Sequence, residues 1–138
     1  MADHPNVESN VELVRRCFDA LARNDDETLL ALHDENVSYY AFDAAGPPTE
    51  CRSRAEFEEM LHVGRTLFKE HSTELLDTHP VGDELVVAEV RSHSTDAKTG
   101  VKADSDFVMV FRVRNGRIVS ACDFIDSAAT EFMESAWK

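Results

Sequence analysis

Residues 103–126 read ADSDFVMVFRVRNGRIVSACDFID, two strand-like runs joined by the four residues Arg114-Asn115-Gly116-Arg117. Asn-Gly between two apolar runs is a strong hairpin signal, because both residues tolerate the positive φ that a tight turn needs. Alternate side chains of a strand share one face. The first run therefore presents four apolar residues on one side: Phe107, Met109, Phe111 and Val113. This stretch predicts an antiparallel hairpin with one apolar face.

The second run of the hairpin places an acid on its apolar face. Asp123 shares that face with Val119, Ala121 and Ile125. The other face carries Ile118, Ser120, Cys122, Phe124 and Asp126. A carboxyl group in a dry cavity has a raised pKa and can transfer protons near neutral pH. A bulge or a shift of one residue would instead turn Asp123 toward solvent.

Length and charge limit the class of protein. A chain of 138 residues predicts a single domain, residues 1–138. With 27 acidic and 14 basic residues the net charge is −13, which repels phosphate backbones and anionic lipid and predicts neither a nucleic-acid nor a membrane partner. The polar N-terminus and the lack of a long apolar run predict a cytoplasmic protein. Cys17, Cys51 and Cys122 are scattered and predict free thiols.

Apolar periodicity predicts the order of the elements. Helices are expected over Val11–Arg23, Glu27–His33 and Arg54–Phe68, and strands over Val37–Phe42, Ser72–Thr78 and Glu84–Ser94, before the hairpin. A short C-terminal helix is predicted at Ser127–Trp137. Helices followed by antiparallel strands favour an α+β fold, with three helices of the N-terminal half packed on one face of an antiparallel sheet.

Local signals refine these elements. Ser9 or Asn10 is the expected N-cap of the first helix, and Ser53 with Glu56 forms a capping box for the third. His33 ends the second predicted helix, where an imidazolium would favour the helix dipole. On the strand Glu84–Ser94 the small apolar residues Val86, Ala88 and Val90 predict the core face, which points Arg91 and His93 outward or into a dimer contact.

Four segments resemble the nuclear-transport-factor-2-like superfamily, and within it the SnoaL-like group. They are LVRRCFDALARNDDETLLALHDENVSYY (13–40), SRAEFEEML (53–61), VGDELVVAEV (81–90) and VFRVRNGRIVSACDFID (110–126). The resemblance implies a cone-shaped α+β barrel, in which a curved sheet wraps three helices and leaves an apolar pocket at the open end. It also implies a homodimer, which we expect to form through the outer sheet face bearing Val108 and Val110.

Family site residues match this chain only in part. Where ketosteroid isomerases have a tyrosine and two acids, the chain has Cys17, Ala41 or a neighbour, and Met109, so that chemistry is not expected. Compared with scytalone dehydratase, Tyr40 (or Tyr39) and His71 match, but Leu21 and Ala22 replace a tyrosine–aspartate pair. The acid/base aspartate of SnoaL-type polyketide cyclases resembles Asp123.

These observations predict cofactor-free acid/base chemistry on a small hydrophobic carbonyl compound: cyclisation, isomerisation or dehydration. A non-catalytic small-ligand-binding protein of the same fold is the alternative. The predicted catalytic residues are Asp123, His71 and Tyr40; Tyr39 and Tyr40 have opposite parity, so one of them should face inward. Predicted substrate-binding residues are Cys17, Tyr39, Phe42, Phe57, Leu61, His62, Met109, Phe111 and Ala121. No metal is expected, because HxxxH and CxxC spacings are absent.

Overall fold

Three helices and a six-stranded sheet lie within residues 6–42 and 49–124, the part of the chain that this computed structural model describes. The helices are α1 (Val7–Ala22), α2 (Asp26–Ala31) and α3 (Arg54–Leu67). The strands are β1 (His33–Phe42), β2 (Thr49–Cys51), β3 (Phe68–Val81), β4 (Leu85–Asp96), β5 (Lys102–Arg114) and β6 (Arg117–Phe124). The α+β class is confirmed. The helix predicted at Ser127–Trp137 lies outside the described residues.

The predicted start of α3 is confirmed, whereas that of α1 is not. Half of the predicted capping box of α3 forms. Glu56 N donates to Ser53 Oγ over 3.1 Å, whereas Glu56 Oε2 accepts from Arg52 N, one residue before the cap, over 2.6 Å. The predicted N-cap of α1 is wrong, because the helix begins one turn earlier, after Asn6. Asn10 is buried inside α1, and its side-chain amide donates a hydrogen bond to Asp83 O. Within the described residues, no helix has the length and apolar character needed to cross a bilayer.

The sheet has the strand order β2-β1-β6-β5-β4-β3 and is open. Strand β1 runs parallel to β6, whereas all other neighbouring pairs are antiparallel. The predictions of a wholly antiparallel sheet and of a barrel are therefore corrected to a mixed, open sheet. Local periodicity identifies a strand but does not select its partner, and β1 and β6 are separated in the sequence by α3 and four other strands.

The β5–β6 hairpin forms as predicted, with one irregularity. Asn115 and Gly116 have φ values of 52° and 72°, the left-handed conformation that a two-residue turn needs. Between Arg112 and Val113 the register shifts, and Val119 becomes an extra residue in β6. Such a bulge reverses the alternation on one side of it. Ile118 is therefore fully buried (0% exposed) and Val119 is not, so the predicted inward position of Val119 is wrong.

The core lies between the helices and the inner face of the sheet. Val86, Ala88 and Val90 are fully buried on that face, as predicted. The ring of Phe111 packs edge-on against Phe18 of α1, with centroids 6.0 Å apart. On β4, the residues that alternate with Val86, Ala88 and Val90 point to the outer face. There Arg91 pairs with Asp106, and His93 with Asp104.

The bulge makes a testable difference between two neighbouring residues. Ile118→Ala should lower the free energy of unfolding by about 2–5 kcal/mol, since it removes methyl groups from a closed core. Val119→Ala, the matched control, should cost less than half as much. Urea denaturation of both variants measures this. An equal or larger loss for Val119→Ala would contradict the position of the bulge.

Candidate active site

Asp123 lies on the inner face of the sheet, near the end of β6. It pairs with Ala41 of β1 on one side and with Met109 of β5 on the other. Only 6% of the residue is exposed. The bulge precedes Ala121, so the alternation that the sequence predicts for Ala121 and Asp123 holds. The carboxyl group therefore lies in the apolar environment that the hairpin pattern indicated.

Tyr39 reaches Asp123 from the neighbouring strand. The parallel register places Tyr39 beside Ala121, and its hydroxyl donates a hydrogen bond to Asp123 Oδ2. Alternation along β1 then turns Tyr40 to the opposite face of the sheet. The structure resolves the choice between the two tyrosines in favour of Tyr39, and the catalytic position predicted for Tyr40 is corrected accordingly.

The second carboxylate oxygen of Asp123 is buried and, among the described residues, has no hydrogen-bond partner. Burial raises the pKa of Asp123 to about 7, although the hydrogen bond from Tyr39 acts in the opposite direction. Burial, together with the charge of Asp123, raises the pKa of Tyr39 well above its ordinary value of 10.0. Near neutral pH the pair therefore consists of a neutral phenol and a carboxyl group that can gain or lose a proton.

Apolar side chains of α3 and β2 enclose the tyrosine. The Phe57 ring lies 5.8 Å from that of Tyr39, and Met60 and Leu61 pack against the core. Cys51, directly opposite Tyr39 on β2, is buried and lies 3.7 Å from the Met60 sulfur. Phe57, Met109 and Ala121 lie in the core and Leu61 packs against it, and their roles in ligand binding stay predictions.

His33 belongs to the same aromatic cluster, which the sequence did not indicate. Its ring stacks on Phe57 with centroids 4.7 Å apart, and Nδ1 donates to Leu29 O over 2.7 Å. The residue is 2% exposed, and burial lowers its pKa. The expected imidazolium at a helix end is therefore a neutral, buried ring. The sequence indicated only a position at the end of a helix, and it did not predict the contact between His33 and Phe57.

Two predicted histidines lie away from Asp123. His71 Nδ1 is 2.7 Å from Ser94 Oγ, and Ser94 pairs with Ala103, which precedes Met109 by about 20 Å of strand. His62 has a 60% exposed side chain and faces Asp26 of α2 at 3.9 Å. Its predicted contact with the site is corrected, because that side of α3 faces solvent.

Two further predicted ligand contacts, Cys17 and Phe111, lie in the packed core. Cys17 and Phe111 are buried in the core beneath the helices, and burial raises the pKa of the Cys17 thiol to about 12. Phe42 pairs with Phe124 through the backbone of β1, but its side chain lies outside the described part of the structure. All three cysteines are free, as predicted.

The predicted apolar cavity beside Asp123 stays a prediction. Two surface grooves flank α1, one toward the β5–β6 turn and the other toward the end of β3. Neither is lined by Asp123 or Tyr39. Residues 43–48 and 125–138, which follow β1 and β6 directly in the sequence, lie outside the described residues.

One group of potential metal ligands occurs on the outer face, where Asp77, His79 and Glu89 lie within 4.8 Å of one another. All three are exposed, and His79 Nε2 is 2.7 Å from Glu89 Oε2. The hydrogen bond with Glu89, aided by the charges of Asp77 and Glu89, raises the pKa of His79, which favours its protonated form over the neutral imidazole that a metal requires. The three residues form a surface ion-pair cluster on the face of the sheet opposite to Asp123.

Comparison with solved structures identifies the fold as that of NTF2-like proteins. An NTF2-like protein of unknown function from Burkholderia pseudomallei is 25% identical, with 91% of this chain and 95% of that chain covered and a TM-score of 0.79. Bal32a, from a soil-derived mobile gene cassette, is 22% identical over 96% and 99% of the two chains, with a TM-score of 0.84. IdmH from Streptomyces antibioticus, proposed to be a polyketide cyclase, is 22% identical over 91% and 96%, with a TM-score of 0.73.

A comparison with family models assigns the chain to a group within this fold. Residues 14–121 match the model of the SnoaL-like domain, and the chain belongs to that family. No curated protein sequence matches it.

The raised pKa of Asp123 predicts how stability depends on pH. Because the pKa is about 7 in the folded state against 3.8 ordinarily, the folded protein binds more protons between these values, and stability falls as pH rises through this window. Asp123→Asn removes this loss. The variant should gain stability relative to wild type from pH 4 to 7, by roughly 4 kcal/mol at most. Denaturation at a series of pH values measures the difference.

Asp106→Asn serves as the control for this series. Asp106 is exposed, and the hydrogen bond from Arg91 lowers its pKa, so the variant should lose a little stability above the ordinary aspartate pKa. If Asp123→Asn showed no gain with rising pH, the buried, high-pKa carboxyl group would be contradicted.

Proposed function

We propose that the protein is an enzyme that moves a proton on a small hydrophobic carbonyl compound, with Asp123 as the acid/base group. The observation that carries the proposal concerns a buried carboxyl group whose Oδ2 is held by Tyr39. Its other oxygen, Oδ1, has no hydrogen-bond partner in the part of the chain that the structure describes. A buried polar atom without a partner is costly. A substrate O–H group would satisfy it, and a C–H group held at the same oxygen would be in position to lose its proton.

The proposed chemistry uses two states of Asp123. As a carboxylate, Oδ1 takes a proton from the carbon next to a carbonyl; the C–H electrons form a carbon–carbon double bond, and the carbonyl π electrons move to oxygen. The carboxylic acid so formed returns the proton to oxygen or to another carbon, which restores the carboxylate. A pKa near the working pH suits both steps.

Tyr39 acts in this proposal through orientation and charge. Its hydroxyl holds Oδ2, so that Oδ1 is the oxygen left for the substrate. A phenol with a raised pKa stays protonated throughout, and it can turn its hydrogen bond to an enolate oxygen once Asp123 has accepted the proton. Cyclisation, isomerisation and dehydration can all begin with this step. If the reaction is a cyclisation, it is of the kind proposed for IdmH.

Deuterium exchange tests this step without knowledge of the natural substrate. With para-acetylbiphenyl in D₂O, wild-type protein should catalyse exchange of the acetyl hydrogens, followed by NMR. The rate should rise with pH and level off above about 7, as Asp123 loses its proton. Asp123→Asn should lower the rate by about 10²–10⁴-fold, whereas Asp106→Asn should leave it unchanged. Binding without exchange in the wild type would favour the non-catalytic ligand-binding alternative.

We further propose a homodimer through the outer face of the sheet. Val108 and Val110 are half-buried there, and Phe124 on the same face is 47% exposed. Ion pairs such as Arg91–Asp106 would form the polar surroundings of an interface of mixed composition. Light scattering should give twice the 15.5 kDa chain mass at micromolar concentration. Phe124→Asp should shift the mass toward the monomer, and a monomeric wild-type protein at high micromolar concentration would contradict the proposal.

A further inference from the structure

A patch of polar side chains continues the inner face of the sheet beyond its apolar core. It consists of His71 of β3, Ser92 and Ser94 of β4 and Ser105 of β5, here called the hydroxyl patch. Strand β4 alternates without a register shift against β5 from Leu85 to Thr95. Ser92 and Ser94 therefore lie on the same face as the buried valines and Ala88. The partners Ser105 and His71 lie directly opposite them.

Two hydroxyls of the patch, those of Ser92 and Ser105, keep hydrogen-bonding capacity beyond the bond that they share. Ser92 Oγ and Ser105 Oγ are 2.9 Å apart, and His71 Nδ1 is 2.7 Å from Ser94 Oγ. Two hydroxyls that share one hydrogen bond keep a second O–H donor and several acceptor sites. Ser92 and Ser105 are half-buried, so these groups can be reached by a ligand.

An apolar band separates the patch from Asp123. Met109 pairs with Asp123, and Ser105 precedes it by four residues, about 13 Å along the strand. Phe107 lies between them, with Val90 of β4 and Leu75 of β3 beside it; Phe107 and Leu75 are only partly buried. The inner face thus presents a proton-transfer pair, a partly exposed apolar band and a group of hydroxyls, in that order.

We propose that the hydroxyl patch is a distal binding subsite for an elongated, largely apolar substrate. A hydroxyl or carbonyl oxygen at the far end of the molecule hydrogen-bonds to Ser92 and Ser105, its apolar body lies along Phe107, and its reacting carbon lies at Asp123. The inference rests on the proposed function for the position of the reacting carbon. Ser92 and Ser105 are then specificity-determining residues.

Two matched probes test the subsite: para-acetyl-para′-hydroxybiphenyl and para-acetylbiphenyl, which differ only in the distal hydroxyl. Wild-type protein should bind the hydroxylated probe about 3–10-fold more tightly in calorimetric titration, the contribution of one neutral hydrogen bond. In Ser92→Ala/Ser105→Ala the two affinities should become equal. Ser38→Ala/Ser120→Ala, a cross-strand serine pair on the outer face, should keep the wild-type preference.

The outcomes separate this proposal from the proposed function. Equal affinities in the wild type, no binding of either probe, or a preference retained in Ser92→Ala/Ser105→Ala would overturn the subsite. A hydroxyl preference with no deuterium exchange would overturn the acid/base function and leave the subsite standing. Deuterium exchange without a hydroxyl preference would overturn the subsite and leave the acid/base function standing. Asp123→Asn should keep the hydroxyl preference, since the residue lies at the other end of the ligand.

Discussion

The parallel pairing of β1 with β6 determines the candidate site. It places Tyr39 beside Ala121 and Ala41 beside Asp123, so that the phenol hydroxyl meets the carboxyl group inside the sheet. Without this register Asp123 would be a buried acid with no donor, whose pKa would be higher still. The hydrogen bond holds one oxygen, while the other has no partner within residues 6–42 and 49–124, and the proposed proton transfer depends on that asymmetry.

The surroundings of the pair strengthen its chemical character. Helix α3 supplies Phe57, which lies between the rings of Tyr39 and His33, and β5 supplies Met109. The cations that pair on the outer face, such as Arg91, are turned away from this side of the sheet by alternation. Desolvation is therefore the dominant cause of the raised pKa, and the same dry environment would strengthen any hydrogen bond to a developing enolate.

The sequence predicted those features that depend on local pattern. Asn115-Gly116 identified the hairpin, the alternation of β6 placed Asp123 inside, and Ser53 with Glu56 marked the start of α3. The choice of Tyr39 over Tyr40 could not be predicted, since it depends on the register of a parallel pair distant in sequence. The bulge at Val119 escaped detection because Ile118 and Val119 are both β-branched and apolar. His33 and the hydroxyl patch are likewise defined by tertiary contacts.

The proposed chemistry depends on the ionisation of Asp123. Titration of its side-chain carboxyl carbon by NMR should give a pKa of about 7 in the wild-type protein. The value should rise further in Tyr39→Phe, which removes the hydrogen bond to the charged form, and stay unchanged in Tyr40→Phe, which alters the other face of the sheet. A wild-type value near the 3.8 of an ordinary aspartate, or equal responses to the two tyrosine substitutions, would contradict the buried pair.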